Sequence, residues 1–295
     1  MTAPVVVIHA GAGDRGIGPG GDDDARHRAL VEALECARAS LERGGDAIEA
    51  AHDAVVAMEA FDLFNAGRGS VLCADGTVEM SAALMRGSDR AAGALAGIRR
   101  TQHPITGARS LLTSPWVLLA GDSADAYAEQ MGVPQCRNAS FITEYQRDRL
   151  AERSSGAEGG TVGAVCLDGA GMLAAATSTG GVRGQPPGRI GDTPLIGAGT
   201  WADARVAVSC TGDGEAFIRS GIARHIAALT EAGAALQDAA QRALDGVRDL
   251  GGRGGLIALD VQGTVTMPFL TQVMPRGIWR SGHRPEAWIG PSAPP

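Results

Sequence analysis

Glycine fills 43 of 295 positions, roughly twice its usual share. Even with 14 prolines added, the sum stays below the roughly 25–30% that marks a low-complexity chain. Hydrophobic residues make up 44% and charged residues 20%, which is enough apolar material for a sizeable core. A chain that must pack and also carry this much glycine is one of tight turns and close backbone approaches. Val5 to Ile8 reads as a buried strand running into a glycine-rich turn. Asp22 to Asp24 offer helix N-caps, the apolar spacing Leu30, Ala33, Leu34, Ala37 follows, and Gly44-Gly45 stops that helix. Asp46 caps a second helix. Asp75-Gly76, between 70–74 and 77–81, signals a hairpin. A strand is predicted at 116–120 and helices at 123–131 and 141–153. After a polar tract at 154–160 come strands at 162–167, 172–178 and 206–210. Helices at 215–232 and 235–250 follow, then a hairpin of 255–260 with 264–269. Hairpin-linked neighbours predict largely antiparallel sheets. Helices grouped before and after the central strands predict an α+β chain, two packed sheets covered by helices on both outer sides.

Charge and composition narrow the function. Twenty-six basic residues against 33 acidic ones give −7, a balance that argues against a nucleic-acid or anionic-membrane partner. All the basic residues are Arg. Without Lys, a P-loop NTPase, a PLP enzyme and a protein kinase each lack an essential cation or nucleophile. With 5 Phe, 4 Trp and 2 Tyr, stacking platforms for single strands are not expected. Five scattered cysteines form no CxxC pair and read as buried small hydrophobes in a reducing compartment. No stretch approaches the roughly 20 apolar residues of a membrane span, and no basic region precedes the first apolar run. The expectation is a soluble, cytoplasmic protein.

Gly11-Ala12-Gly13-Asp14-Arg15-Gly16 matches GxGxxG after a strand. A dinucleotide fingerprint needs a helix to begin in that loop and an acid at the end of the next strand. Here the loop runs on through Gly21, and Glu32 and Glu35 fall on a helix, so a glycine turn that brings backbone close to something else is the better reading. The six histidines show no metal-ligand spacing, and there is no GxSxG elbow. The stronger pattern lies further on. Gly159-Gly160 ends abruptly at Thr161 on a strand edge. Thr177 and Thr179 share one face of the partner strand, where a core does not favour two hydroxyls. Arg189 and Asp192 set a cation and an anion among glycines. Ser209 to Glu215 form a polar, glycine-rich turn at a helix start, where free N–H groups can bind an oxyanion.

These stretches, with Val6 to Gly13, Phe64 to Gly69, Ala174 to Gly181 and Gly254 to Asp260, resemble the plant-type asparaginase / isoaspartyl (β-aspartyl) peptidase family of N-terminal-nucleophile hydrolases. The likeness covers nearly the whole chain. It implies a four-layer αββα sandwich and a precursor that cuts itself between Gly160 and Thr161, giving an α-subunit of 1–160 and a β-subunit of 161–295. It implies Thr161 as nucleophile, Thr179 as its hydrogen-bond partner, and Arg189 and Asp192 as the clamp on the substrate's α-carboxylate and α-ammonium. Thr211 and Gly212 match the oxyanion hole, Gly214 lines the same loop, and Asn65 faces the nucleophile. The backbone carbonyls of Met58, Glu59, Phe61, Phe64, Ala66 and Arg68 match a structural sodium site. No cofactor is implied for catalysis, and a homodimer of αβ units is.

The chemistry agrees with the resemblance. A threonine hydroxyl needs a base, and a released α-amine with pKa about 7.7–8.0 supplies one on the same residue. Two glycines tolerate the backbone strain of self-cleavage. Arg holds a carboxylate bidentately and Asp complements an ammonium, so β-aspartyl dipeptides and L-asparagine both fit, each releasing L-aspartate. The sequence departs from the family at Ala10, Ser81 and Leu270, outside the implied catalytic set. Asp213 is either a solvated bystander or a carboxylate favouring cationic leaving groups. A glycosylasparaginase-like amidase and a non-cleaving amino-acid-binding module remain as alternatives.

Overall fold

The structure is a computed structural model and describes residues 2–14, 22–152 and 159–290. The expectations for the remainder of the first glycine loop, Arg15 to Gly21, and for the polar tract up to Glu158 fall outside the described residues. The first half of the chain forms β1 (Val5–Ala10), α1 (Asp23–Glu42), α2 (Ala47–Ala60), β2 (Met80–Arg86), β3 (Ala92–Ile98), α3 (Pro104–Ser110), β4 (Leu118–Ala120), α4 (Gly121–Gln130) and α5 (Glu144–Ala151). The second half forms β5 (Val162–Leu167), β6 (Leu173–Thr179), β7 (Thr200–Ala202), β8 (Val206–Gly212), α6 (Gly214–Ser220), α7 (Ile222–Glu231) and α8 (Leu236–Asp249). It ends with β9 (Gly254–Asp260), β10 (Val265–Thr266), β11 (Arg276–Arg280) and β12 (Glu286–Trp288).

One sheet has eight strands in the order β12-β11-β1-β5-β6-β2-β3-β4, and the other four in the order β10-β9-β8-β7. Between these strands every pairing is antiparallel except β3 with β4. Side-chain alternation sorts the layers. On β1, Val6 and Ile8 join α1 and α2 in one core, while Val5 and Val7 point between the sheets to meet Ala207, Ile257 and Leu259. On β8, Val206, Val208 and Cys210 pack outward against α6 to α8. The result is helices, sheet, sheet, helices, the αββα sandwich expected. Strand β5 is buried along its whole length, as a strand covered on both faces must be.

β1, from the first 160 residues, is inserted between β5 and β11 from the remainder. Its register pairs His9 with Gly163 on one side and Arg276 on the other. Asp168 ties the β5–β6 turn to the helical layer: Oδ1 accepts N–H bonds from Ala170 and Met172, and Oδ2 accepts that of Ala47 at the start of α2.

Three expectations need correction. The Asp75-Gly76 turn exists, with Gly76 N–H on the Cys73 carbonyl, but 70–74 is not a strand. Its donors and acceptors go to loops instead: Val71 N–H to Asn65 Oδ1, Ala74 N–H to the Gln185 carbonyl, and the Leu72 carbonyl to Gly184 N–H. The helix expected over 215–232 breaks at Gly221, which adopts φ +56° and caps α6. The helix expected from 141 begins only at Glu144, capped by the Thr143 hydroxyl. Cys73, Cys166 and Cys210 are buried as expected, whereas Cys36 and Cys136 are only partly so; all five are free. Among the described residues, no helix is long and apolar enough to cross a membrane.

Candidate active site

The antiparallel β5–β6 pair sets Val162 opposite Ser178, so Thr161, one step before β5, lies beside the end of β6. Thr161 is buried, and its hydroxyl donates to Thr179 Oγ1 at 3.3 Å. Thr179 Oγ1 donates in turn to the Gly160 carbonyl at 2.8 Å and accepts Gly181 N–H at 3.0 Å. Asn65 Nδ2 donates to the same Gly160 carbonyl at 2.8 Å and to the Gly181 carbonyl at 2.7 Å. Its Oδ1 accepts Val71 N–H at 2.8 Å, so the amide is fixed at both ends. Two side-chain donors therefore converge on the carbonyl that precedes Thr161. Such donors stabilise negative charge developing on that oxygen.

The first glycine loop closes on the same peptide. Gly11 adopts φ +101°, and a Cβ there would come within 3.3 Å of Gly160 Cα. That close approach accounts for the first glycine, Gly11, of the GxGxxG-like run. A dinucleotide fold is also excluded by the antiparallel pairing of β1 on both sides.

The predicted clamp is assembled beside Thr161. A cleft of about 20 Å³ is lined by Thr161, Thr179, Arg189, Asp192, Gly212 and Gly160, among others. A Cβ on Gly214 would lie 2.9 Å from Arg189 Nη2 and 3.0 Å from Asp192 Oδ1; both charged groups converge on this glycine. Arg189 is aligned by a bidentate pair with Glu215, 3.0 and 2.9 Å, and by Gln185 Oε1 at 3.4 Å. The Arg189 guanidinium holds the Glu215 carboxyl below its usual range. Asp192 is 5% exposed and its Oδ2 has no hydrogen-bond partner. Burial pushes its pKa up to about 7, against a lowering from backbone N–H bonds and Arg189. A buried carboxylate oxygen without a donor is a place made for a ligand's cation.

Thr211 lies at the end of β8, next to the cleft. It is fully buried and its hydroxyl has no partner, while the adjacent Gly212, at φ +152°, borders the cleft. An unpartnered hydroxyl at such a place suits an oxyanion donor. Asp213 Oδ2 accepts Arg253 N–H at 2.7 Å.

Several contributors escape sequence reasoning. Glu215 aligns Arg189. Glu79 accepts Gly188 N–H at 2.7 Å, and so fixes the loop carrying Arg189. Behind Thr161 runs a buried chain of polar groups. His9 Nε2 shares a hydrogen bond with Ser209 Oγ at 2.9 Å, Ser209 with Thr177 Oγ1 at 2.8 Å, and Thr200 donates to Thr177 at 2.7 Å. Burial lowers the His9 pKa to about 3, partly offset by the Thr161 backbone, so the ring is neutral at physiological pH. The doublet of hydroxyls noted at Thr177 and Thr179 thus divides: one serves this chain, the other Thr161.

The resemblance implies a cation at the coil after α2. Gly69, at φ +101°, has the Phe64 and Asp62 carbonyls 2.8 and 2.9 Å from where its Cβ would be, and Gly67 abuts the Glu59 carbonyl. The Glu59 carbonyl already accepts Arg68 N–H at 2.9 Å; backbone carbonyls are donors of the kind a hard cation takes. Among the described residues there is no group of three or more His, Cys, Asp or Glu that could hold a metal ion.

A buried threonine at a strand edge, a preceding carbonyl held by two donors and an adjoining cation–anion clamp describe the class of amide hydrolase whose nucleophile opens a strand. The chain belongs to the asparaginase family, whose model matches residues 2–289. It is 41% identical to an isoaspartyl peptidase of Salmonella typhimurium over 98% of this chain and 99% of that protein. It is 40% identical to the isoaspartyl peptidase of Escherichia coli (98% and 97% covered) and 37% identical to a human isoaspartyl peptidase/L-asparaginase (95% and 94% covered).

Proposed function

We propose that this chain is a self-processing threonine amidohydrolase that cleaves β-aspartyl dipeptides and the side-chain amide of L-asparagine, releasing L-aspartate. The observation that carries the reading is the Gly160 carbonyl held by Asn65 and Thr179 beside the Thr161 hydroxyl. Relatives named isoaspartyl peptidase across nearly their whole length support the substrate class.

In self-processing, Thr161 Oγ attacks the Gly160 carbonyl carbon, and the oxyanion is stabilised by Asn65 and Thr179. The C–N bond breaks as the hydroxyl proton passes to the Thr161 nitrogen, an ester forms, and water hydrolyses it. Subunits of 1–160 and 161–295 result. The freed Thr161 α-amine is the base for the second reaction. It takes the Thr161 hydroxyl proton as Oγ attacks the substrate's β-carbonyl, then gives a proton to the departing nitrogen. Arg189 receives the α-carboxylate, Asp192 the α-ammonium, and Thr211 and Gly212 the oxyanion. Water then hydrolyses the aspartyl ester. No cofactor enters these steps. The backbone carbonyls of Met58, Glu59, Phe61, Phe64, Ala66 and Arg68 would hold a structural sodium ion. The αβ units pair as a homodimer. Free cysteines fit a reducing cytoplasm.

Denaturing electrophoresis of the purified protein tests this reading. Wild type should yield two fragments, the smaller beginning Thr-Val-Gly, and should hydrolyse β-Asp-Leu. Thr161→Ala should remain one chain of about 30.0 kDa and do neither. An intact wild-type chain that hydrolyses β-Asp-Leu, or a cut and active Thr161→Ala, would refute the mechanism.

A further inference from the structure

We propose that the buried polar node formed by His9, Thr177, Thr200 and Ser209 sets the spacing between the nucleophile and the groups that receive the substrate, with Thr177 as its central positioning residue. This rests on the reaction proposed above and adds positioning residues to the same site.

The reacting groups come from different sheets. Thr161 precedes β5, and its partner Thr179 ends β6, both strands of the eight-stranded sheet; Thr211 and Gly212 end β8 of the four-stranded one. The Asp192 turn is tied to the second sheet: its carbonyl accepts Gly199 N–H at 3.1 Å, immediately before β7. Attack by Thr161 Oγ on a carbonyl whose oxygen meets Thr211 therefore depends on how one sheet sits over the other. Elsewhere between the sheets, apolar side chains such as Val7, Val165, Ala207 and Ile257 meet. Such contacts are non-directional and do little to prevent sliding.

The node supplies the missing direction. His9 and Thr177 belong to the first sheet, Thr200 and Ser209 to the second, and all four are fully buried. Thr200 and Ser209 lie opposite each other on β7 and β8. Ser209 Oγ is 2.9 Å from His9 Nε2 and 2.8 Å from Thr177 Oγ1. The Thr200 hydroxyl lies between Thr177 Oγ1, at 2.7 Å, and the Thr193 carbonyl, at 3.1 Å. The first three of these contacts cross from sheet to sheet; the last reaches the residue after Asp192. Side-chain alternation carries the registration to the site. Thr179 follows Thr177 on the same face of β6, and Thr211 follows Ser209 on the same face of β8, so fixing Thr177 against Ser209 fixes Thr179 against Thr211. Gly163 lets β5 pass over the node, since a Cβ there would collide with Ser209 Oγ.

The test uses Thr177→Val and Thr177→Ser. Valine keeps the shape and cuts the central link, yet Ser209 keeps His9 and Thr200 keeps the Thr193 carbonyl. Self-cleavage uses Thr161, Gly160, Thr179 and Asn65 and nothing from the second sheet, so fragments should appear at the wild-type rate. Turnover of β-Asp-Leu, normalised to cut enzyme, should lose roughly ten- to hundredfold in kcat, the cost of a displacement on the order of an ångström. KM should change little, because Arg189 and Asp192 keep their supports, and Thr177→Ser should recover most of kcat. If Thr177→Val does not fold, Thr200→Val cuts the same sheet-to-sheet link from the other strand and should show the same split between scission and turnover. An unchanged kcat, scission slowed as much as turnover, or failure of both valine variants to fold overturns the positioning role and leaves the hydrolase reading intact. A wild type that neither cuts itself nor hydrolyses β-Asp-Leu overturns both.

Discussion

Asp192 makes the affinity for an amino-acid ligand depend on pH in a calculable way. Burial raises its pKa from 3.8 to about 7 in the empty site. A shift of about three units at 1.36 kcal/mol each corresponds to roughly 4 kcal/mol against ionisation. The sign follows from linkage. A carboxyl whose folded value is raised binds its proton more tightly when folded, so its contribution to stability is greatest below 3.8 and is lost as pH rises toward 7. A ligand ammonium reverses that loss, because it supplies the donor that Oδ2 lacks. Only the ionised fraction of sites is competent for such a ligand, about nine-tenths at pH 8 and about one-tenth at pH 6, so apparent Kd should rise about tenfold between them. Calorimetric titration with L-aspartate between pH 5.5 and 8 reads this, since the ligand's own groups do not titrate in that range. At pH 6, binding should release close to one proton per site, seen by comparing buffers of different ionisation enthalpy. Succinate, which has no ammonium, should not show the same loss on acidification. Asp192→Asn should abolish the dependence and so separate it from titration of the Thr161 amine or Glu215 nearby. Equal Kd values at pH 6 and pH 8, with no proton released, would refute the reasoning.

Removing either donor from the Gly160 carbonyl should slow scission. Asn65→Leu should slow it roughly ten- to hundredfold, and Thr179→Val at least as much, since Thr161 loses its partner too; fragment appearance over time on denaturing gels checks both. Gly163→Ala should destabilise the protein by roughly 1–3 kcal/mol, because the new Cβ would collide with Ser209 Oγ and come within 2.5 Å of His9 Nε2. Thermal unfolding would show a lowered Tm, and adding Ser209→Gly should recover part of it.

What could be read from the sequence is what local chemistry dictates. Glycines before Thr161, alternating hydroxyls at Thr177 and Thr179, and the Arg189–Asp192 spacing all announce themselves within a few residues. The contributors that stayed hidden act across long separations: Glu215 reaches Arg189 from 26 residues away, Glu79 reaches Gly188 from 109, and Ser209 reaches His9 from 200. No periodicity encodes such meetings. The same holds for the fold. Strand β1 is a run of β-branched residues and reads plainly. Strand β3, Ala-Gly-Ala-Leu-Ala-Gly-Ile, has one β-branched residue and becomes a strand because β2 and β4 flank it. Strand β11 depends likewise on β1 as a template and β12 on β11, and the helix boundary at Gly221 required knowing which glycine turns left-handed.

The insertion of β1 between β5 and β11 has a consequence if the chain cuts itself as proposed. In the uncut chain the two segments are tethered, and their pairing is an intramolecular search. In a cut chain the same hydrogen-bond ladder would hold them together, but a molecule once denatured would have to reassemble from separate polypeptides, at a rate set by concentration. Maturation would thus convert a reversible folder into a protein whose durability is governed by how slowly it comes apart.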